Sequence, residues 1–167
     1  MIDVRGMRGT TEMAIVGGDI QIKTLPAVLA LVVSSSADIG TVKERMGKAF
    51  DVLMRHVATT GARIAGPPFT QYQEPVEAQF AFAVCIPVAP GATSGQGVEL
   101  EDLPAVEAAS LLYSGPYDAM DASWHRLLAW VAENGRRPGG ALREVYLNDP
   151  AQTAAADLLT ELLVPID

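Results

Sequence analysis

A single cysteine, Cys85, leaves no partner for an internal disulfide, and it lies in the apolar run Phe80 to Val88, where a free thiol packs as a small hydrophobe. It reads as structural, and the compartment as reducing. Only 12 of the 167 residues are Lys or Arg, against 20 Asp or Glu, for a formal net charge of −8. That scarcity of positive charge argues against a nucleic-acid surface, because phosphate binding rests on clustered cations that release counterions. The one basic cluster, Arg136-Arg137, reads as two solvated charges beside a helix end. Arg5 and Arg8 are not followed by an apolar stretch of signal-peptide length, and no uncharged run is long enough to span a bilayer. The expectation is a cytoplasmic protein with no membrane partner.

Other absences narrow the chemistry. The two histidines, His56 and His125, have no second His or Cys at ligand spacing, so they read as solvated or capping residues and no metal site is expected. The glycines between Gly91 and Gly97 lack a following Lys-Ser/Thr and a strand-to-helix context, which removes a phosphate loop, and no cofactor is expected. Ser34-Ser35-Ser36 has no matching His in a triad motif and reads as a strand end before a helix cap. What is present is 49% hydrophobic content in a 17.6 kDa chain, enough for one domain with a substantial core.

The chain also repeats itself. Residues 20–28, Ile-Gln-Ile-Lys-Thr-Leu-Pro-Ala-Val, return at 98–106 as Val-Glu-Leu-Glu-Asp-Leu-Pro-Ala-Val, an offset of 78, and Ile86-Pro87-Val88 returns at the same offset as Val164-Pro165-Ile166. Gly61 and Tyr72 match Gly135 and Tyr146 at an offset of 74. A duplication explains ordered matches at both ends and in the middle. Repeat 1 covers about 20–88, a Gly/Pro/Ser-rich linker 89–97 and repeat 2 about 98–167, together a single domain behind a loosely held lead-in of residues 1–19.

Each repeat reads as strand, strand, helix, strand, strand. Ile20 and Ile22 alternate with polar neighbours, as do Val98 and Leu100, and the runs 27–34 and 105–114 follow as second strands. Ile39, Val42, Met46, Ala49, Phe50, Leu53 and Val57 then fall on one helical stripe, with Thr41 and Glu44 at capping-box spacing and Gly61 beyond the end. Tyr117, Met120, Trp124, Leu127, Leu128 and Val131 form the equivalent stripe, stopped by Asn134-Gly135. Third strands are expected near 69–73 and 142–147, fourth strands near 78–88 and 158–166, and at most one helical turn within 151–156. The fold class is α+β: tandem duplicated units with pseudo-twofold symmetry, an antiparallel sheet and two main helices on one face, with ligands expected in a groove between the copies.

Aromatic residues are few, at 6%, yet Tyr113, Tyr117, Trp124, Trp130 and Tyr146 crowd into one third of the chain. Tyr113-Ser-Gly-Pro-Tyr117 running into Trp124 and Trp130, together with Arg143-Glu-Val-Tyr-Leu-Asn-Asp-Pro150, resembles the GyrI-like effector-binding family, the ligand-sensing domains of bacterial multidrug-responsive transcription regulators. The resemblance runs from about Ile20 to Ile166. It implies a groove that accepts bulky, cationic or aromatic compounds around one acidic side chain, here Glu144, with Tyr146 two residues along. Only 19 residues precede the first repeat, too few for a helix-turn-helix module, so direct nucleic-acid binding is not implied.

From alternation alone Leu142, Glu144 and Tyr146 share one strand face and Arg143, Val145 and Leu147 the other, and Glu144 reads as an exposed strand charge. The resemblance moves it to the centre of the site. Tyr113 and Tyr117 flank the Gly115-Pro116 turn, where hydroxyls reach clefts. Trp124 reads equally as pocket or core, and Trp130 as core. Tyr72, the duplicate of Tyr146, with Phe69 and Phe82 would line the opposite wall, although the two phenylalanines fit a core as well. Three functions are compatible with these residues. One is a binding module that senses or sequesters an amphipathic cation. Another is a hydrolase of reactive cyclopropane-containing cytotoxins, in which Glu144 activates water and Tyr113 or Tyr117 assists. The last is a protein-interaction module, and a protein partner or homodimer stays open.

Overall fold

The computed structural model describes residues 20–73 and 78–167; the lead-in 1–19 and residues 74–77 lie outside them. In chain order the elements are β1 (Gln21–Leu25), β2 (Val28–Ala37), α1 (Val42–Thr60), β3 (Phe69–Tyr72), β4 (Phe80–Pro87), β5 (Glu99–Leu103), β6 (Val106–Ser114), α2 (Asp121–Glu133), β7 (Leu142–Tyr146) and β8 (Leu159–Pro165). Single 3-10 turns occur at Tyr117–Ala119 and Ala155–Asp157. The fold is α+β, and within each unit described below every strand pairing is antiparallel. The twofold run of strand, strand, helix, strand, strand stands as the periodicities indicate.

Two compact units cut the chain differently from the two repeats. Pro26–Ala105 form one, with strands in the order β3-β4-β2-β5 and α1; Val106–Asp167 with β1 form the other, ordered β1-β6-β8-β7 with α2. The first strand of each repeat has therefore been exchanged: β1 pairs with β6, and β5 with β2. The exchange is symmetrical, since Gln21↔Ser110 and Glu99↔Val32 are the same pairing under the repeat offset of 78. The motif Leu-Pro-Ala-Val supplies the reason. Only Pro and Ala separate β1 from β2, and likewise β5 from β6. A two-residue hairpin needs positive φ in its turn, which proline, locked near φ −65°, denies. The chain passes on extended, and the second strand takes a distant partner.

Within each unit the helix buries one face against its sheet. Leu53 of α1 packs with Leu31, Phe82, Val84 and Ile86, and Leu127 of α2 with Leu111, Leu162 and Val164. Leu53 and Leu127 occupy matched helical positions at the offset of 74, and neither exposes any surface. Finer details repeat as well: Ala65 N–H donates to the Pro87 carbonyl and Gly139 N–H to the Pro165 carbonyl, each at 2.8 Å.

The helix stops match too. Gly61 and Gly135 adopt φ of 74° and 72° just past α1 and α2, and a Cβ at either would meet nothing within 4 Å. The cost of a side chain there is purely conformational, so Gly61→Ala and Gly135→Ala should each lower stability by about 1 kcal/mol. Urea denaturation checks this, and similar shifts are expected because both glycines hold nearly the same positive φ with open space where a Cβ would stand.

Several local expectations are corrected. No capping box forms at α1: Asp38 Oδ1 accepts from Thr41 N–H at 2.9 Å and from its hydroxyl at 3.0 Å, while Glu44 pairs along the helix with Lys48. Ile39 stands in the turn ahead of the helix, 86% exposed, and is not part of the buried stripe. Tyr117 belongs to a 3-10 turn, not to α2, because Gly115 at φ 145° and Pro116 redirect the chain before Asp121 starts the helix. Arg136 is not merely solvated. It donates to the Asp167 carbonyl at 2.7 Å and pairs with Glu107 at 2.8 Å, tying the last residue to β6, whereas Arg137 stays exposed.

Candidate functional site

β7 alternates as read from the sequence, turning Leu142, Glu144 and Tyr146 toward α2, where Leu142 joins the helix-packed core. That leaves Glu144 only 8% exposed. A carboxylate withdrawn from water needs hydrogen-bond donors, and it has one on each oxygen: Trp124 Nε1–H donates to Oε2 at 3.0 Å and the Tyr146 hydroxyl to Oε1 at 3.1 Å. The Tyr117 ring meets the Tyr146 ring edge-on, with centroids 5.6 Å apart at 68°. Glu144, Trp124, Tyr146 and Tyr117 are thus brought together inside one unit, and the exposed strand charge suggested by alternation is a buried acid framed by aromatic rings. Trp124 proves to be core and acid partner at once, since its indole also packs against Leu127 and its neighbours. Trp130 packs on the same core.

The other unit repeats the scaffold without the acid. Under the offset of 74, Thr70 stands for Glu144, Tyr72 for Tyr146 and Phe50 for Trp124. Thr70 is fully buried, and its hydroxyl and that of Tyr72 both lie 3.9 Å from Met46 Sδ. Phe69 and Phe82 are core residues there, 4% and 2% exposed. Tyr72 reaches Phe82 through Phe80, a ring that sequence reasoning passed over, at centroid separations of 6.3 and 6.5 Å. The alternation of Phe80 with Phe82 was the signal that could have found it.

Tyr113 is 7% exposed, and its hydroxyl donates to the Pro116 carbonyl at 2.7 Å. A Cβ on Gly115 would come within 2.7 Å of that hydroxyl, so the glycine is needed for the approach. Tyr113 therefore holds the turn that presents Tyr117. Burial, and secondarily the charge of Asp118, raises the Tyr113 pKa above its ordinary 10.0. For Tyr117, 37% exposed, the partial burial of its ring comes first, then the negative charges of Asp149 and Glu144, in pushing its pKa the same way from 10.0.

These shifts have a definite sign. A tyrosine whose folded pKa is raised keeps its proton where the unfolded chain has lost it, so its contribution is intact below about pH 10 and is lost as pH climbs through the folded value. Alkaline unfolding followed by circular dichroism should move upward in pH in Tyr113→Phe. Spectrophotometric titration should show Tyr117 ionising closer to the ordinary value in Glu144→Gln, because one of the charges opposing it is gone.

The Asn148-Asp149-Pro150 stretch does turn chemistry beside this site. Asn148 accepts from Leu159 N–H at 2.9 Å and donates to the Asp157 carbonyl at 3.0 Å, and Asp149 accepts from Ala151 N–H at 2.8 Å. His56, half-buried, bonds the Thr93 carbonyl at 2.7 Å and so pins the linker to α1, a role beyond solvation or capping. Cys85 is fully buried, as read. Among the described residues there is no group of His, Cys, Asp and Glu able to hold a metal ion, and no helix long and apolar enough to cross a membrane.

Comparison with known proteins follows the same lines. The profile of the GyrI-like small molecule binding domain matches residues 18–167. The crystal structure of the EcmrR C-terminal domain is similar at 20% identity and a TM-score of 0.78, covering 89% of this chain and 97% of that one. SAV2435 bound to tetraphenylphosphonium is similar at 9% identity and 0.60, covering 89% and 94%. A hydrolase from Listeria innocua is similar at 12% identity and 0.61, covering 89% and 91%. At these identities the likenesses concern the fold alone. A comparison with curated protein sequences gave no match.

Proposed function

The chain belongs to the GyrI-like small-molecule-binding domain family, and from that premise we propose that it binds bulky aromatic cations at the carboxylate of Glu144, with Trp124, Tyr146 and Tyr117 as the surrounding rings. The observation that carries this reading is the pair of hydrogen bonds from Trp124 and Tyr146 that hold a buried carboxylate in place, in one unit only, where the matched residue of the other is Thr70. A preorganised negative charge beside aromatic faces attracts an organic cation twice over, through Coulomb attraction and through the ring quadrupoles. The pairing of a delocalised cation with a domain of this fold in SAV2435 supports the same chemistry. Tyr113 serves by fixing the turn that carries Tyr117, and its hydroxyl is engaged with Pro116, which favours binding over a hydrolytic role for that residue. Tetraphenylphosphonium and a neutral tetraaryl analogue of the same shape, titrated calorimetrically against the full chain and its Glu144→Gln variant, test the reading. Preference for the cation should vanish in the variant; a preference that survives would remove Glu144 from the site.

A further inference from the structure

The matched units differ in which of two paired strands carries a large ring. In one, Tyr113 of β6 stands opposite Thr160 of β8; in the other, the equivalent pair is Ser35 of β2 opposite Phe82 of β4. Large and small have traded strands. The ring beneath α1 rises from β4, and at the position where β6 carries a tyrosine, β2 carries Ser35. The result is a cleft of about 430 Å³ between β2 and α1, lined by Val33, Ser34, Ser35, Thr41, Arg45 and Lys48, with Glu44, Ala49 and Val52 completing it. It stays open along one side because the β5 pairing ends at Val32, and from Val33 onward β2 has no strand on that side among the described residues.

The lining has a chemical character. Val33, Ala49 and Val52 supply an apolar floor, and Ser35 and Thr41 supply hydroxyls. Arg45 makes no ion pair with any described residue, and Lys48 has only the exposed Glu44, 3.4 Å away along the helix. An exposed pair of that kind holds little energy and yields readily to a competing anion. Two cations and one anion leave the rim net positive on a chain whose formal charge is −8.

We propose that this cleft is a second ligand site, taking a small single-ring organic anion whose ring lies over Val33, Ala49 and Val52 in place of the missing tyrosine ring and whose anionic group meets Arg45 and Lys48. The guanidinium fork suits a carboxylate. The site lies wholly within the unit formed by Pro26–Ala105 and is independent of Glu144.

Titration of the full chain with 4-hydroxybenzoate, followed by backbone amide NMR shifts, tests it, with benzylamine as the cationic counterpart. Saturable shifts centred on Ser34, Ser35, Thr41 and Arg45 are expected for the anion and not for the amine. Arg45→Gln, an exposed change that leaves the core untouched, should weaken binding about tenfold. Ser35→Tyr should fill the cleft and abolish it, and Glu144→Gln should leave it unchanged, which separates this site from the one proposed above. No saturable shift, shifts centred on other residues, equal response to benzylamine, or undiminished binding in Arg45→Gln would each overturn the proposal.

Discussion

Glu144→Gln is expected to weaken binding of a lipophilic aromatic cation by about 2–3 kcal/mol, roughly 30- to 150-fold, while a neutral analogue of the same shape changes by no more than about twofold. The substitution suits the site's geometry. Trp124 Nε1–H can only donate, so the glutamine oxygen must face the indole; the amide nitrogen then faces the Tyr146 hydroxyl, which can rotate to accept. Both contacts survive, and what disappears is the charge. Glu144→Ala is the harsher change, because it strands the indole donor in a buried position and mixes lost binding with lost packing. Calorimetric titration of both ligands against both proteins reads the difference directly, and equal loss for the cation and the neutral compound would show that shape, not charge, had been removed.

The largest stability effects should come from Leu53→Ala and Leu127→Ala. Both leucines are fully buried, and truncation removes their transfer energy and leaves a cavity that close-packed neighbours fill only in part. A loss of about 2–5 kcal/mol is expected for each, read as a lower urea midpoint with the slope retained. The two sites are matched by the duplication but differ in surroundings: Leu53 packs with the Phe82 ring, while the cluster around Leu127 contains Tyr113, tied to Pro116. A site that can collapse costs less, and a tethered ring collapses poorly, so Leu127→Ala should be the costlier of the two. A loss below about 1 kcal/mol at either position would contradict its place at the centre of a core.

The candidate site is partly legible in the sequence. Glu144 and Tyr146 share a face because a strand alternates, and Trp124 lies on the stripe that α2 turns toward its sheet. Their meeting was not written in either pattern, since β7 and α2 are separated in sequence and neither periodicity states a register between them. Tyr113 shows where local pattern runs out. Its position beside Gly115-Pro116 pointed to a cleft, yet the same closeness lets the hydroxyl fold back three residues to the Pro116 carbonyl, and only the path of the backbone shows which partner it takes.

Local chemistry in the chain itself determined the order of elements, the duplication and the paired glycine stops of the helices, because side-chain periodicity and turn propensity act over a few residues, whereas Glu144 stood out only through the family resemblance of its motif. The Pro-Ala link forbids a hairpin locally, but tertiary structure alone decided which distant strands β1 and β5 join, that Glu144 lies buried between an indole and a phenol, and that Ser35 borders an open cleft where Tyr113 fills its own. Those outcomes depend on which surfaces exclude water together across tens of residues, and no short-range pattern carries that information.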